Sequence, residues 1–349
     1  MNARVLVTAA GSIVAQGIIK SLKLANKKNS SYTIIAADMS PLAAGLYRCD
    51  SGMLVPPVSS PDYIDSIIKI CKNNKVQAIF CGSDDELLAL AGAKEVIESS
   101  TGAKLLTGSP DALAIARDKW RTYEFCKANN LLCAPSALPE DRDGFAREFG
   151  FPLVVKPREG YGSLHFYVTK NKEEMDKAIL VIEQAGWRAI VQKYLAGDAE
   201  FTTGVTIDKN CRYTMSSISI RKIIKHGQTY KAFIDNFHGI RKSAEEVALK
   251  LGASGPVNVQ AKLEGDIPVI FEINPRFSAT CPMRAAAGVN EPDVVFRNAV
   301  LGEEVKVDGY ERLVCMRYWN EVYVPYSLYE KTSSSGCVHT DGSFVPDYF

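Results

Sequence analysis

The 349 residues carry 41 basic and 40 acidic side chains, a formal charge of +1, and are 46% hydrophobic and 23% charged. That length suits two or three compact units at ~100–200 residues each, and the composition is that of a folded globular protein, not a disordered one. Near-neutrality leaves no long-range field to draw nucleic acid or an anionic membrane, so partners must be recognised by local sites.

The chain opens Met-Asn-Ala-Arg and passes directly into apolar Val5-Leu6-Val7. A secretion signal's basic region, long apolar run and small-residue cleavage site are not seen there. Nothing approaches the ~20 consecutive apolar residues of a membrane span. The nine cysteines are scattered and contain no C-x-x-C pair, which argues against a zinc site or a disulfide framework. A cytoplasmic enzyme acting on small molecules, without membrane or nucleic acid, is expected.

Residues 5–8, 33–36 and 78–80 are short apolar runs suited to buried strands of a parallel sheet. Residues 16–24, 63–73, 84–93 and 111–116 have helical spacing, the last with Ser109-Pro110 as N-cap and first helical position. The pattern is an open, Rossmann-like α/β unit over residues 1–112. Its first strand-to-helix turn, residues 9–17, falls where a dinucleotide fingerprint would lie. Ala9 replaces the first glycine and no third glycine follows at the required spacing, so a structural turn is preferred to a nicotinamide site.

From 113 to 305 the pattern becomes α+β. Residues 151–156, 189–192, 201–206, 213–220, 257–263 and 269–273 alternate like antiparallel strands, with helices between some of them. Residues 281–288 form a helix with Pro282 at its start and Gly288 past its end. Residues 306–349 form an extension with a strand over 313–324 and a loop at Ser333-Ser334-Ser335-Gly336.

The chemistry concentrates in Asn258-Val-Gln260 and Glu272-Ile-Asn274-Pro-Arg276, separated by the turn Glu264-Gly265-Asp266. A hairpin symmetric about Asp266 sets Gln260 opposite Glu272 and Asn258 opposite Asn274, all on one face. Val259, Ala261 and Leu263 then meet Ile273, Phe271 and Val269 on the core face, which supports that register independently. One carboxylate among amide oxygens suits Mg2+, which takes few protein carboxylates and completes its shell with water and phosphate. Arg276 would project from the same face toward those phosphates.

This pattern resembles the metal-binding end of the ATP-grasp superfamily, most closely the carbamoyl phosphate synthetase large subunit. The resemblance runs from about residue 4 to 305. It implies a preATP-grasp domain followed by an ATP-grasp domain with a mobile lid over about 120–190. It makes Gln260, Glu272 and Asn274 metal ligands and Arg276 a phosphate and transition-state contact. Lys119 in Ala116-Arg-Asp-Lys119 and Lys156 in Leu153-Val-Val-Lys156-Pro match the two phosphate lysines. The loop with Gly160, Gly162 and Ser163 offers backbone N–H groups to phosphate. Gln192, Lys193 and Leu195 match the adenine hinge, and Glu200 the acidic ribose ligand.

Arg221 and Lys222 could aim charge at phosphate or substrate. His165 reads as a packing or capping residue, and His226 and His238 as solvated loop residues. Arg284, near the start of the Pro282 helix, either binds the substrate carboxylate at the helix N-terminus or braces a neighbouring strand; both stay open. The implied function is an ADP-forming carboxylate–amine ligase using ATP and Mg2+, with Mn2+ able to substitute. A homodimer is one assembly left open. Within ligases, carboxyphosphate chemistry on bicarbonate is the runner-up, and a nucleotide-binding protein without ligase activity stays open as a separate class.

Overall fold

A computed structural model describes residues 2–28, 30–159, 164–197, 199–338, 340 and 342–347. The chain begins β1 (Asn2–Val7), α1 (Ile13–Asn26), β2 (Ser31–Asp38), β3 (Ser51–Leu54), α2 (Tyr63–Asn74), β4 (Ala78–Phe80), α3 (Asp84–Gly92), α4 (Lys94–Thr101) and β5 (Lys104–Leu105). These strands form a parallel sheet in the order β3-β2-β1-β4-β5. Val5 and Val7 enter the core on the α1 side, and Leu6 enters the opposite core beneath α2 and α4. Burial of both faces explains why β1 reads as an unbroken apolar run.

The turn after β1 is held by local hydrogen bonds. Ala9 adopts the left-handed φ of +48° that a glycine would take more readily. Ser12 caps α1, accepting from Ala15 N at 2.9 Å. The Asp38 carboxylate accepts from Gly11 N and Ser40 N, both at 2.8 Å. A 3-10 turn, Ala44–Arg48, lies so close that a Cβ on Gly45 would stand 2.2 Å from the Ala10 carbonyl oxygen. The 3-10 turn therefore packs directly against this loop.

Next come α5 (Pro110–Arg117), capped by Ser109, then α6 (Lys119–Ala128), β6 (Ser136–Ala137), α7 (Arg142–Phe149), β7 (Leu153–Pro157), β8 (Tyr167–Thr169), α8 (Lys172–Gln184) and β9 (Ala189–Lys193). An antiparallel sheet β6-β9-β7-β8 packs on α7 and α8 around Phe145, Met175 and Ile182. The rest comprises β10 (Glu200–Ile207), β11 (Thr214–Lys225), β12 (Gln228–Ile234), α9 (His238–Lys250), β13 (Gly255–Glu264), β14 (Ile267–Asn274), α10 (Cys281–Ala286), α11 (Glu291–Ala299), β15 (Leu313–Met316), α12 (Tyr326–Ser335) and β16 (Cys337–Val338). The order β14-β13-β10-β11-β12-β15 makes a six-stranded antiparallel sheet, and α9 covers one face through Ile240, Ala244 and Val247.

Four readings change. β12 was not anticipated, and the strand expected over 313–324 is only the edge strand β15. The serine tract is the last turn of α12, closed by Gly336 at φ +71°. Residues beyond 306 also do not stand apart, because β15 pairs with β12 and β16 pairs antiparallel with β3.

The α/β unit is seamed to the helices after β14. The Tyr32 ring meets Phe296 edge-on at 5.1 Å, and its hydroxyl donates to Asp293 at 2.8 Å. Phe80 packs on Phe277 at 5.6 Å. This seam sets α3 beside the end of β14. Among the described residues, no helix is long and apolar enough to cross a membrane.

Candidate active site

β13 and β14 pair Asn258 with Asn274, Val259 with Ile273 and Gln260 with Glu272, the register expected from the apolar partition. Beyond Gln260 the match slips, Ala261 facing Ile270, so Phe271 is the extra residue of a β-bulge. The bulge reverses the sides expected for Phe271 and Val269. Ile270 joins Val259, Ala261 and Ile273 in the core under α9, while Val269 and Phe271 turn to the other face with Ala134 and Leu195.

On that other face, Asn274 Nδ2 donates to Glu272 Oε1 at 2.9 Å. Burial would raise the Glu272 pKa, but Lys119, the Asn274 amide, Lys156 and Lys222 hold it below the usual carboxylate range. Gln260 differs from expectation: its Oε1 accepts from Lys222 Nζ, which also pairs with Glu200 Oε1 at 2.6 Å. The oxygens that fit a divalent ion are therefore those of Glu272 and Asn274.

Lys119 opens α6, where Asp118 is the N-cap, and its Nζ donates to the Arg158 carbonyl at 3.3 Å. Burial lowers its pKa, against the pull of Glu272 and Asp118. Lys156, on β7, is buried and donates to Gln192 Oε1 at 2.8 Å, 5.8 Å from the Phe271 ring centre. Burial, with Lys119 adding to it, pushes the Lys156 ammonium down to about 7. Buried Lys156, disfavoured in its charged form by burial and by half-buried Lys119, fits a polyanion that would relieve it.

Arg276 is a bidentate partner of Asp84 on α3, at 2.5 and 3.1 Å. It lines one cleft together with Lys119, Glu159, Glu272 and Asn274. The acidic first turn of α3, Asp84-Asp85-Glu86, was readable as a helix start, but nothing local to it announces Arg276.

Two expected site residues lie elsewhere. Arg221 is opposite Phe201 on the α9 face and stacks at 4.1 Å on the Phe233 ring, so alternation gives the site face to Lys222 instead. Arg284 is wholly buried. Its guanidinium bonds Glu291 Oε2 at 2.6 Å, Ser278 Oγ at 2.7 Å and Thr280 Oγ1 at 3.0 Å. It is a brace beneath β10, where a Cβ on Gly204 would come within 2.6 Å of its Nε.

The hinge is also more heavily braced than expected. Gln192 is buried, its amide oxygen taken by Lys156 and its Nε2 donating to Ser136 Oγ at 3.0 Å, so it does not face outward for a base. The Leu195 carbonyl accepts from Lys262 Nζ at 3.3 Å, and the Lys193 amide donates to Pro135 O at 2.9 Å. Gly160, Gly162 and Ser163 lie outside the described residues. His226 and His238 are exposed, at the β11–β12 turn and the start of α9.

A small sheet and a large one meet at a lysine-lined cleft, behind an open α/β unit, in an ATP-grasp-like architecture. Residues 5–105 match the family model of the PylC-like N-terminal domain, and residues 188–321 that of the ATP-grasp in the biosynthetic pathway with Ter operon. The second match is to an ATP-grasp family model and covers the stretch from β9 to just past β15. It is 23% identical over 288 residues to the carbamoyl phosphate synthase large chain of Methanosphaerula palustris, covering 76% of this chain and 27% of that one. With the Vibrio cholerae large chain the identity is 21% over 326 residues, covering 86% and 29%. The chain thus spans well under a third of these relatives' length.

Among solved structures, the ADP complex of Staphylococcus aureus N5-carboxyaminoimidazole synthetase superposes with a TM-score of 0.71 at 16% identity, covering 90% of this chain and 82% of that one. The biotin carboxylase domain dimer of Hydrogenobacter thermophilus 2-oxoglutarate carboxylase, with MgADP, ADP and bicarbonate, gives 0.68 at 17%, covering 88% and 71%. At these identities the likeness is one of fold.

Proposed function

We propose that this chain activates a small carboxylate with ATP as an acyl phosphate and transfers the acyl group to an amine, releasing ADP and phosphate. The observation that carries the reading is the convergence of Lys119, Glu272, Asn274 and Arg276 on one cleft, with buried Lys156 electrostatically coupled to Lys119 and Glu272. Lys119 and Lys156 would hold ATP phosphates, with Gly160, Gly162 and Ser163 supplying backbone donors. Glu272 and Asn274 would hold Mg2+, or Mn2+ in its place, the rest of the shell coming from phosphate and water. When bound, that ion neutralises charge on the phosphates during transfer. Leu195 and Phe271 offer an apolar floor for adenine, edged by the backbone of Lys193 and Leu195. Glu200, near the hinge, would meet the ribose.

In the reaction a carboxylate oxygen bonds the γ-phosphorus as ADP leaves. The amine lone pair then attacks the acyl carbon and phosphate departs. Arg276, oriented by Asp84, steadies the two anions as they approach. Similarity to carbamoyl phosphate synthase large chains and to a bicarbonate-bound biotin carboxylase favours a second reading, with bicarbonate as the acid. Hydroxylamine trapping separates the two. An organic acid that drives ADP release should yield its hydroxamate, whereas bicarbonate-dependent ADP release without hydroxamate selects the second reading. Nucleotide binding with no acid-dependent ADP release would leave a binding protein and overturn both.

A further inference from the structure

The cleft continues past Leu88 and Leu113 into a second groove, rimmed by Arg117, Arg121 and Arg188. The acidic residues of this groove are already engaged: Asp118 pairs with Arg158 at 2.5 Å, and Glu159 pairs with Arg188. Arg117 and Arg121 are exposed, and neither has a hydrogen bond or ion pair from its side chain among the described residues. Arg121 stands in the first turn of α6, which also carries Lys119 and contains no acidic residue. Cations there oppose the helix dipole, and an arriving anion reverses that cost. At the inner end Asp85 lines the cleft beside the Asp84–Arg276 pair, with no hydrogen bond or ion pair of its own among the described residues.

We infer that this groove seats the amine substrate, and that the amine carries its own anionic group, a carboxylate or a phosphate, set apart by an apolar stretch. The anion rests on Arg117 and Arg121, the apolar stretch runs along Leu88 and Leu113, and the ammonium points to Asp85. Two guanidinium forks read either oxyanion by the same charge-assisted bonds. The inference rests on the ligase reading, because it takes the acyl phosphate to form beside Glu272 and Arg276.

The test is calorimetric titration of the full chain, saturated with MgADP, by hexylamine, aminohexanoic acid and aminohexyl phosphate. At least one tailed probe should bind ~10-fold or more tighter than hexylamine, and the better of the two identifies the anion. The double variant Arg117→Met/Arg121→Met should lose that preference while MgADP affinity and melting temperature stay near wild type. Equal binding of all three probes, or a preference that survives in the double variant, overturns the inference. Failure of the wild-type chain to bind MgADP is a different outcome: it overturns the ligase reading and, with it, this assignment of the groove.

Discussion

Nucleotide binding should take up a proton, and Lys156 should be the group that receives most of it. This side chain is 7% exposed, its Nζ bonded to Gln192, and burial with Lys119 beside it places its pKa at about 7. A phosphate oxygen against Nζ favours the charged form and returns the pKa toward its ordinary 10.5. At pH 8 the protonated fraction would rise from roughly 0.1 to nearly 1, an uptake of about 0.9 proton per MgADP. Uptake should fall to about 0.5 at pH 7 and about 0.1 at pH 6, where the free protein already holds the proton. Titration calorimetry in buffers of different ionisation enthalpy reads this number directly. Lys119, also lowered by burial, adds in the same direction, so Lys156→Met should remove more than half of the uptake, not all. No uptake by wild type at pH 8, or unchanged uptake in the variant, would refute the argument.

The same shift acts on stability. The folded-state pKa lies below that of the unfolded chain, so from about pH 7 to 10.5 the unfolded chain holds more protons and stability rises with pH. This group alone contributes a gain of about 2 kcal/mol between pH 7 and 9. Urea midpoints of Lys156→Met should lack that contribution.

Glu272→Gln removes the one carboxylate among the metal-facing oxygens and should lower turnover at least ~100-fold with the fold intact; wild-type turnover at the same Mg2+ dependence would sink the assignment. Arg284→Met strands Glu291 without its partner and should destabilise the protein by about 3–5 kcal/mol. An unchanged urea midpoint with a sharply raised KM for the acid would instead restore Arg284 to the substrate site. Lys222→Gln should reduce turnover ~10-fold or more, whereas Arg221→Gln, on the opposite face, should change it less than ~2-fold. The reverse order in steady-state assays would contradict the strand parity.

The hairpin carrying Glu272 and Asn274 was legible because strict alternation of polar and apolar residues fixes its register. The bulge at Phe271 was not, since an inserted residue leaves the composition of the strand unchanged. Choosing Lys222 over Arg221 requires counting across β10 from Glu200, a cross-strand relation absent from the local sequence. Arg284 shows the same limit. The helix start at Pro282 was readable, but Glu291 and the side-chain-free Gly204 that make room for the buried pair come together only in the fold. Likewise Asp84 meets Arg276 across 192 residues. The serine-rich α12 lacks a clear apolar stripe, so its pattern resembles a loop even though Thr332 is buried.

Phosphorus NMR of ATP incubated with the full chain, Mg2+, bicarbonate or a panel of organic acids, and tailed amines tests the central claim most directly. The cleft of Lys119, Lys156, Glu272 and Arg276 predicts ADP and orthophosphate, formed only when an acid is present. AMP and pyrophosphate as the main products would contradict transfer of the γ-phosphoryl group and the acyl phosphate with it.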